Sequence, residues 1–372
     1  MSRTKRRMRI VINTILFLIV AVWTIPTIGL LVSSIRQRED IQSSGWWTVF
    51  PHRAWVSDGN RLPIPEGQTR DAPITIANEA TGGQEITATF AEWQSGVIVA
   101  PGVQLKWVGN LRTGRLEVFR EQWVANTNFT LENYEEVMAG KNYQLTRADG
   151  TTLRVQGEDL VGAFLNSIAV TVPATIIPIL IAAFAAYGFA WMEFPGRRLL
   201  FILVVAMLVV PLQIALVPLL RAYSGLSLTG TYLGLWLAHT GFGLPLAIYL
   251  LYNYISTLPK EVLESAFIDG ASHFTIFFRL VLPLSVPALA SFAIFQFLWV
   301  WNDYLVALIF LSFGNQDKWV LTMRIAGLVG SRGQDWHLLT AAAFISMILP
   351  LAVFFGLQRY FVRGLMAGSV KG

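Results

Sequence analysis

The chain has 372 residues, of which 54% are hydrophobic and only 14% charged, against about a quarter charged in an ordinary soluble domain. It contains no cysteine, and its four histidines (His52, His239, His273, His337) are far apart, which excludes a disulfide framework and leaves no paired-histidine or thiolate metal site. The net charge of +5 comes from basic residues clustered between apolar runs, a placement that speaks for orientation in a membrane rather than for nucleic acid.

The basic start 1–9, MSRTKRRMR, leads into the apolar run 10–32. A membrane span needs about 20 mostly apolar residues. Five further segments meet that length: 164–190, 199–220, 231–252, 287–311 and 338–360. The first run is longer than a signal-peptide core and is followed by no small-residue cleavage site, so it is read as a retained anchor. With the N-terminus inside, the cytoplasmic segments hold twelve basic residues, and the two short outer loops hold four. Both termini are then cytoplasmic, and the long segment 33–159 lies outside. The predicted fold is mainly α: a six-helix bundle with a β-rich periplasmic insertion between spans one and two.

Within the insertion, residues 45–155 carry short runs rich in β-branched and aromatic residues: PITIA, EITATF, GVIVAP, LKWVG and RLEVF. Asp149-Gly150, between YQLTRA and TTLRV, predicts a hairpin turn. The rings of Phe90, Trp93, Trp107, Phe119 and Trp123 suit either a sugar-stacking surface or the core of a small sandwich. The segment 129–138, FTLENYEEVM, predicts a short helix with Thr130 as N-cap, without a capping box because Asn133 stands at N3.

The core, 160–372, contains a connector that a plain loop would not need. Residues 258–287, LPKEVLESAFIDGASHFTIFFRLVLPLSVP, predict two short helices broken at Gly270, the first bearing Glu261, Glu264 and Asp269, the second running through His273–Leu282. Small residues at 265, 266, 270 and 271 allow something bulky to approach the backbone, and Gly270 permits a turn that a Cβ would resist. Acidic groups on such a surface element make a dock for another protein.

Here the sequence resembles the inner-membrane permeases of binding-protein-dependent ABC importers. Glu264-Ser265-Ala266, Asp269-Gly270-Ala271 and Leu282-Pro283 resemble the EAA loop in its sugar-importer form, with Ser265 in place of the usual Ala. Asn166-Ser167, Ala185-Ala186-Tyr187-Gly188-Phe189-Ala190 and Phe194-Pro195-Gly196-Arg197 are similar to that family's second span and its turn. Trp301-Asn302-Asp303 resembles its WND signature, and the tail 361–372 that of the maltose-permease G-type subunit. The likeness extends over 160–372 and more weakly over 1–35. A first outer segment as long as 33–159 is most like the α-glucoside transport subunits.

The resemblance implies a division of labour. Glu264, Ser265, Ala266, Asp269, Gly270, Ala271, Leu282 and Pro283 would sit in a cleft of a cytoplasmic ATPase dimer. A second, F-type permease would complete the path, and a periplasmic sugar-binding protein would deliver the sugar, with Asn315, Gln316, Asp317, Lys318 and Trp319 as contact candidates. From the residues alone, the outer loop 312–337 could equally be an interfacial helix anchored by Trp319 and Trp336. Trp301, Asn302 and Asp303 are candidates for the pore wall or a gate. An acid inside a span faces a cavity or the bundle interior, and simple hydrogen bonding to a neighbouring helix explains the group equally well. No GxxxxGK[ST] sequence or catalytic cluster occurs, so the chain is not expected to be an enzyme or to hold a cofactor, and ATP-Mg belongs to the partner ATPase. An ion-coupled secondary transporter would need inverted repeats and a buried ion site, and would leave 258–287 unexplained.

Overall fold

The computed structural model describes residues 3–62, 72–77, 83–110, 114–140, 143–146, 152–155, 160–332 and 335–367. Asp149-Gly150 lies outside these residues. The chain divides into two compact units, Met1–Val32 with Arg36–Phe129, and Ser33–Ile35 with Thr130–Gly372. The first compact unit ends at Phe129.

The first unit begins with α1 (Arg3–Ser34), α2 (Arg38–Ser43), a 3-10 turn over Trp46–Val49 and β1 (His52–Leu62). Then follow β2 (Ile74–Ile76), β3 (Ile86–Ala88), α3 (Phe90–Ser95), β4 (Val97–Ala100), β5 (Val103–Val108) and β6 (Arg115–Val124). Strands β1, β6, β5 and β4 form an antiparallel sheet in that order, with Trp107 opposite Leu116 and Arg53 opposite Trp123. Period-two alternation puts Leu105, Trp107, Leu116 and Val118 on one face. There they are buried with Ile74 and Ile76 of the β2–β3 ribbon and with Phe90 and Trp93 of α3. Among the described residues the unit is thus a single sheet covered on one face by a helix and a ribbon, rather than a two-sheet sandwich. Phe90, Trp93 and Trp107 are core residues, whereas Trp123 is 69% exposed on the opposite face.

In the second unit α4 (Glu132–Ala139) and the hairpin of β7 (Tyr143–Thr146) and β8 (Thr152–Val155) precede the helices. The N-cap of α4 is Leu131, one residue later than expected, and Thr130 Oγ1 instead accepts from Glu132 N at 3.1 Å. The helices are α5 (Leu160–Trp191), α6 (Arg197–Ala206), α7 (Leu212–Gly225), α8 (Tyr232–Ile255), α9 (Lys260–Ile268), α10 (His273–Ile276), the short α11 (Leu282–Leu284), α12 (Val286–Trp301), α13 (Leu305–Leu311), α14 (Leu321–Arg332) and α15 (Trp336–Ala367). The tail expected from 361 is helical through Ala367 as the end of α15.

Among the described residues, four helices are long and apolar enough to cross a membrane, or up to six if two bent pairs each count as one span. The segment 199–220 is not the straight span its composition suggests. Pro211 lacks an amide and drives Val210 out of the helical region, to ψ 117°. The chain bends there by 103° between Arg197–Val209 and Leu212–Gly225. A second bend, of 71°, separates His273–Leu284 from Val286–Trp301. A π-helical turn over Phe277–Val281 adjoins α11, where Pro283 interrupts the amide ladder.

Three prolines inside α5 and α15 free carbonyls four residues earlier, and side chains of other helices donate to those three carbonyls. Pro173 frees Ala169 O, which accepts from Trp236 Nε1 at 3.0 Å. Pro178 frees Ala174 O, which accepts from Gln296 Nε2 at 3.1 Å. Pro350 frees Ser346 O, which accepts from Trp301 Nε1 at 2.9 Å. Satisfying each freed carbonyl from another helix is what a low-dielectric surrounding demands.

Candidate functional site

Residues 258–287 form an exposed handle with a buried root. Helix α9 ends in a Schellman motif: Gly270 adopts φ +80°, its amide donates to Phe267 O at 3.0 Å, and that of Ala271 donates to Ala266 O at 3.0 Å. Ser272 then caps α10, its side chain accepting from Thr275 N. Glu264, Ser265, Asp269 and Gly270 are exposed, Ala266 and Ala271 half-buried. No atom lies within 4 Å of where a Gly270 Cβ would stand, so glycine is favoured there by conformation, not by crowding within the chain. Around the acids lies apolar surface, with Ile268 85% exposed and Phe274 also open.

The root is packed firmly. Leu263, Ile276, Phe277 and Val281 are buried with Ala183 and Tyr187 of α5 and Leu251 and Ile255 of α8. Phe277 stacks on Phe184 at 4.3 Å, and the Tyr187 hydroxyl is 2.9 Å from His273 Nδ1. Trp191 Nε1 donates to Ile255 O at 3.2 Å, and the Tyr254 hydroxyl to Leu284 O at 3.1 Å. Leu282 is half-buried and Pro283 exposed. The segment is thus packed against the ends of α5 and α8 and joined, through the bend at Ser285, to α12.

Trp301, Asn302 and Asp303 do not lie in a continuous helix, as the run 287–311 suggests. Helix α12 stops at Trp301, Asn302 takes φ −90° and ψ 0°, and α13 starts at Leu305. Trp301 is buried and bonded to Ser346; Asn302 is exposed and donates back to Leu298 O at 2.8 Å. Asp303 caps α13, its carboxylate accepting from Ala307 N at 2.9 Å and Val306 N at 3.4 Å. Its Oδ2 is 3.8 Å from Nε2 of buried His239. Thr322 Oγ1 donates to Asp303 O at 2.7 Å, tying the break to α14. Of the three residues, Trp301 ties helices, Asp303 organises the break, and only Asn302 presents a free face.

The loop 315–319 is pinned from below. Asn166 Nδ2 donates to Trp319 O at 3.0 Å and to Asp317 O at 2.6 Å, and Ser167 Oγ accepts from Leu321 N at 2.8 Å. Asn315 caps a 3-10 turn over Gln316–Lys318. Lys318 Nζ reaches Gly230 O at 3.3 Å, and Arg324 lies over the Trp319 ring at 5.3 Å. Asn315, Gln316, Asp317 and Lys318 are exposed and Trp319 half-buried. Within 312–337 the helix α14 occupies Leu321–Arg332, after the loop that carries Asn315 to Trp319. Asn166 and Ser167 had stood out only through family likeness; a polar pair near the start of an apolar run is the signal that locates them. Tyr187 and Gln296 carry no such signal.

Three comparisons bear on this geometry. Residues 169–366 match the model of the binding-protein-dependent transport system inner membrane component. The osmoprotective compounds uptake permease protein GgtD of Synechocystis sp. is 48% identical over 369 residues, 99% of this chain and 94% of its own. The alpha-glucoside transport system permease protein AglG of Rhizobium meliloti is 48% identical over 383 residues, 95% of each chain. Among solved structures, a chain of a bacterial ABC transporter involved in the import of the acidic polysaccharide alginate superposes with a TM-score of 0.60 at 15% identity, covering 97% of this chain and 99% of that one. That likeness extends to the fold.

Proposed function

Because this chain belongs to the binding-protein-dependent transport system inner membrane components, we propose that it forms half of the translocation path of an ATP-driven importer for α-glucosides and related small sugars. It crosses the membrane six times, each bent pair counting as one span, with both termini inside and 33–159 outside. An F-type permease supplies the other half, an ATPase dimer burns ATP-Mg in the cytoplasm, and a sugar-binding protein docks outside, near Asn315, Gln316, Asp317, Lys318 and Trp319.

The observation that carries this reading is the handle at 258–287. Glu264 and Asp269 stand exposed beside a glycine turn open to a partner, while Leu263 and Phe277 root the same element in the helix bundle. That is the form needed to turn closure of a partner protein into helix movement. The sugar class is supported by the alpha-glucoside permease: coverage of 95% of both chains leaves no room for either to lack a segment the size of 33–159. The substrates of the osmoprotectant permease are the second candidates.

The test is uptake of labelled sucrose, maltose and trehalose by cells with and without this chain, before and after an uncoupler. ATP-dependent uptake that needs the chain and survives the uncoupler is expected. Uptake that collapses with the ion gradient would overturn the importer reading.

A further inference from the structure

In the first unit Trp46 lies against Gly29 of α1. A Cβ on Gly29 would come within 2.6 Å of Trp46 Nε1, so the indole occupies the space a side chain would need. Helix α1 then acts as a ruler. From Arg9, the last of its basic cluster, to Gly29 it advances about 30 Å, which is about the thickness of a hydrocarbon layer. With Arg9 at the cytoplasmic surface, Gly29 and the Trp46 ring lie where the outer leaflet's acyl chains meet its headgroups.

Trp46 does not stand alone. Trp47 and Phe50 meet it edge-on, with centroids 6.3 and 6.4 Å away, and are 61% and 57% exposed. Indoles concentrate at membrane interfaces because one edge is polar and the remainder apolar. The turn that presents them is set by the protein itself. The buried Arg36 guanidinium donates to Gly45 O at 3.0 Å, Asp40 O at 3.1 Å, Ser44 Oγ at 2.8 Å and Thr48 Oγ1 at 3.2 Å. A buried guanidinium costs less the more of its donors are met, and these four bonds from its two terminal nitrogens tie 36–48 together.

We propose that Trp46, Trp47 and Phe50 form an aromatic foot that seats the first unit in the headgroup–acyl boundary of the outer leaflet, its partner being the phospholipid surface. This goes beyond the transport role and rests on that reading for two points, that α1 spans the bilayer and that its N-terminus is inside.

The absence of cysteine makes a single introduced thiol unique, so the test uses spin labels on the full chain in vesicles of phosphatidylethanolamine and phosphatidylglycerol. Labels are placed on Trp47→Cys and Phe50→Cys, with two references: Trp23→Cys, 79% exposed along α1, and Asn60→Cys, exposed on β1. Collisions with oxygen and with a water-soluble nickel chelate report depth. The oxygen-to-nickel ratio at 47 and 50 should exceed that at 60 several-fold and fall below that at 23. Ratios at both sites equal to that at 60 would overturn the foot. So would suppression of both collision rates, which would mean that protein covers the rings. A water-like ratio at 23 would instead overturn the span. Phe50→Cys keeps both indoles and reads the depth even if Trp47→Cys folds poorly.

Discussion

The indole N–H of Trp301 is 2.9 Å from Ser346 O, the carbonyl that Pro350 leaves without an amide. Trp301 therefore works as a cross-helix donor between α12 and α15. Replacing it by Phe should keep a ring beside Phe297 and Phe164 but orphan the carbonyl, at a cost of about 1–3 kcal/mol. The melting temperature in detergent should fall. Pro350→Ala restores a backbone amide to Ser346 O, so the double variant Trp301→Phe, Pro350→Ala should recover most of the loss. No recovery would mean that ring packing, and not the hydrogen bond, is what Trp301 contributes.

Glu264→Lys and Gly270→Val should both insert normally and abolish uptake. The left-handed backbone costs about 1–2 kcal/mol for a residue with a Cβ, and a β-branched one suffers most, whereas Asn tolerates it. Gly270→Asn separates two requirements. Because nothing in the chain lies within 4 Å of the missing Cβ, Asn should preserve the Schellman turn. If uptake is still lost while the ATPase fails to co-purify, the space above Gly270 belongs to the partner. Normal uptake by Gly270→Val would sink the coupling role.

Much of this was legible in the sequence, and the failures have physical causes. The handle was readable because Glu, Gly and Pro at fixed spacing leave few alternatives to two short helices and a turn. The broken spans were not, since apolar composition is the same for a straight and a bent helix; Pro211 alone signalled the first bend. β1 was missed because HRAWVSDGNRL carries Asp58, Gly59, Asn60 and Arg61, turn-like residues that sit at a register shift between Ser57 and Arg61. Thr89 lay in the run EITATF, read only as strand, and its capping-box partner Glu92 just beyond that run. Side-chain donors to freed carbonyls, such as Gln296 to Ala174, depend on which helices become neighbours, and periodicity does not encode that.

Gly230 and Gly314 hold the turn before α8 against the loop after α13. A Cβ on either would be 2.9 Å from the other's Cα, and Gly230 also adopts φ +72°. Gly314→Ala should therefore force the backbones apart and cost about 1–3 kcal/mol. It should also displace the loop carrying Asn315 to Trp319, so that stimulation by the binding protein falls together with stability. Gly225→Ala, which meets no atom within 4 Å, is the control and should melt like the parent. Equal melting of both variants would show that the close approach is dispensable.

Asp303 caps α13, and Asn can fill the same place with a neutral oxygen. Asp303→Asn should retain the fold and most of the uptake. Asp303→Ala should lose about 1 kcal/mol, the usual cost of a lost cap, and transport should fall with it. Melting curves and uptake measured side by side decide the matter. Loss of uptake in a stably folded Asp303→Asn variant would show that the negative charge itself serves transport, as the gate reading requires.

The capping box in the first unit makes an acid-range prediction. Glu92 accepts from Thr89 N at 2.7 Å and from the Thr89 hydroxyl at 2.8 Å. These bonds, the amide first, hold its carboxyl below the usual carboxylate range. A depressed carboxyl contributes stability above its unfolded value, about 4.3, and loses that contribution as pH falls through the folded value. Protection of the Gly96 amide, which donates to Glu92 O at 2.9 Å at the end of α3, should therefore be flat from pH 7 to 5. Below that it should drop, after correction for intrinsic exchange. Glu92→Gln can still accept from Thr89 N but cannot titrate, so its profile should stay level through the acid range. A wild-type profile as level as that of the Gln variant would mean that the box does not hold α3.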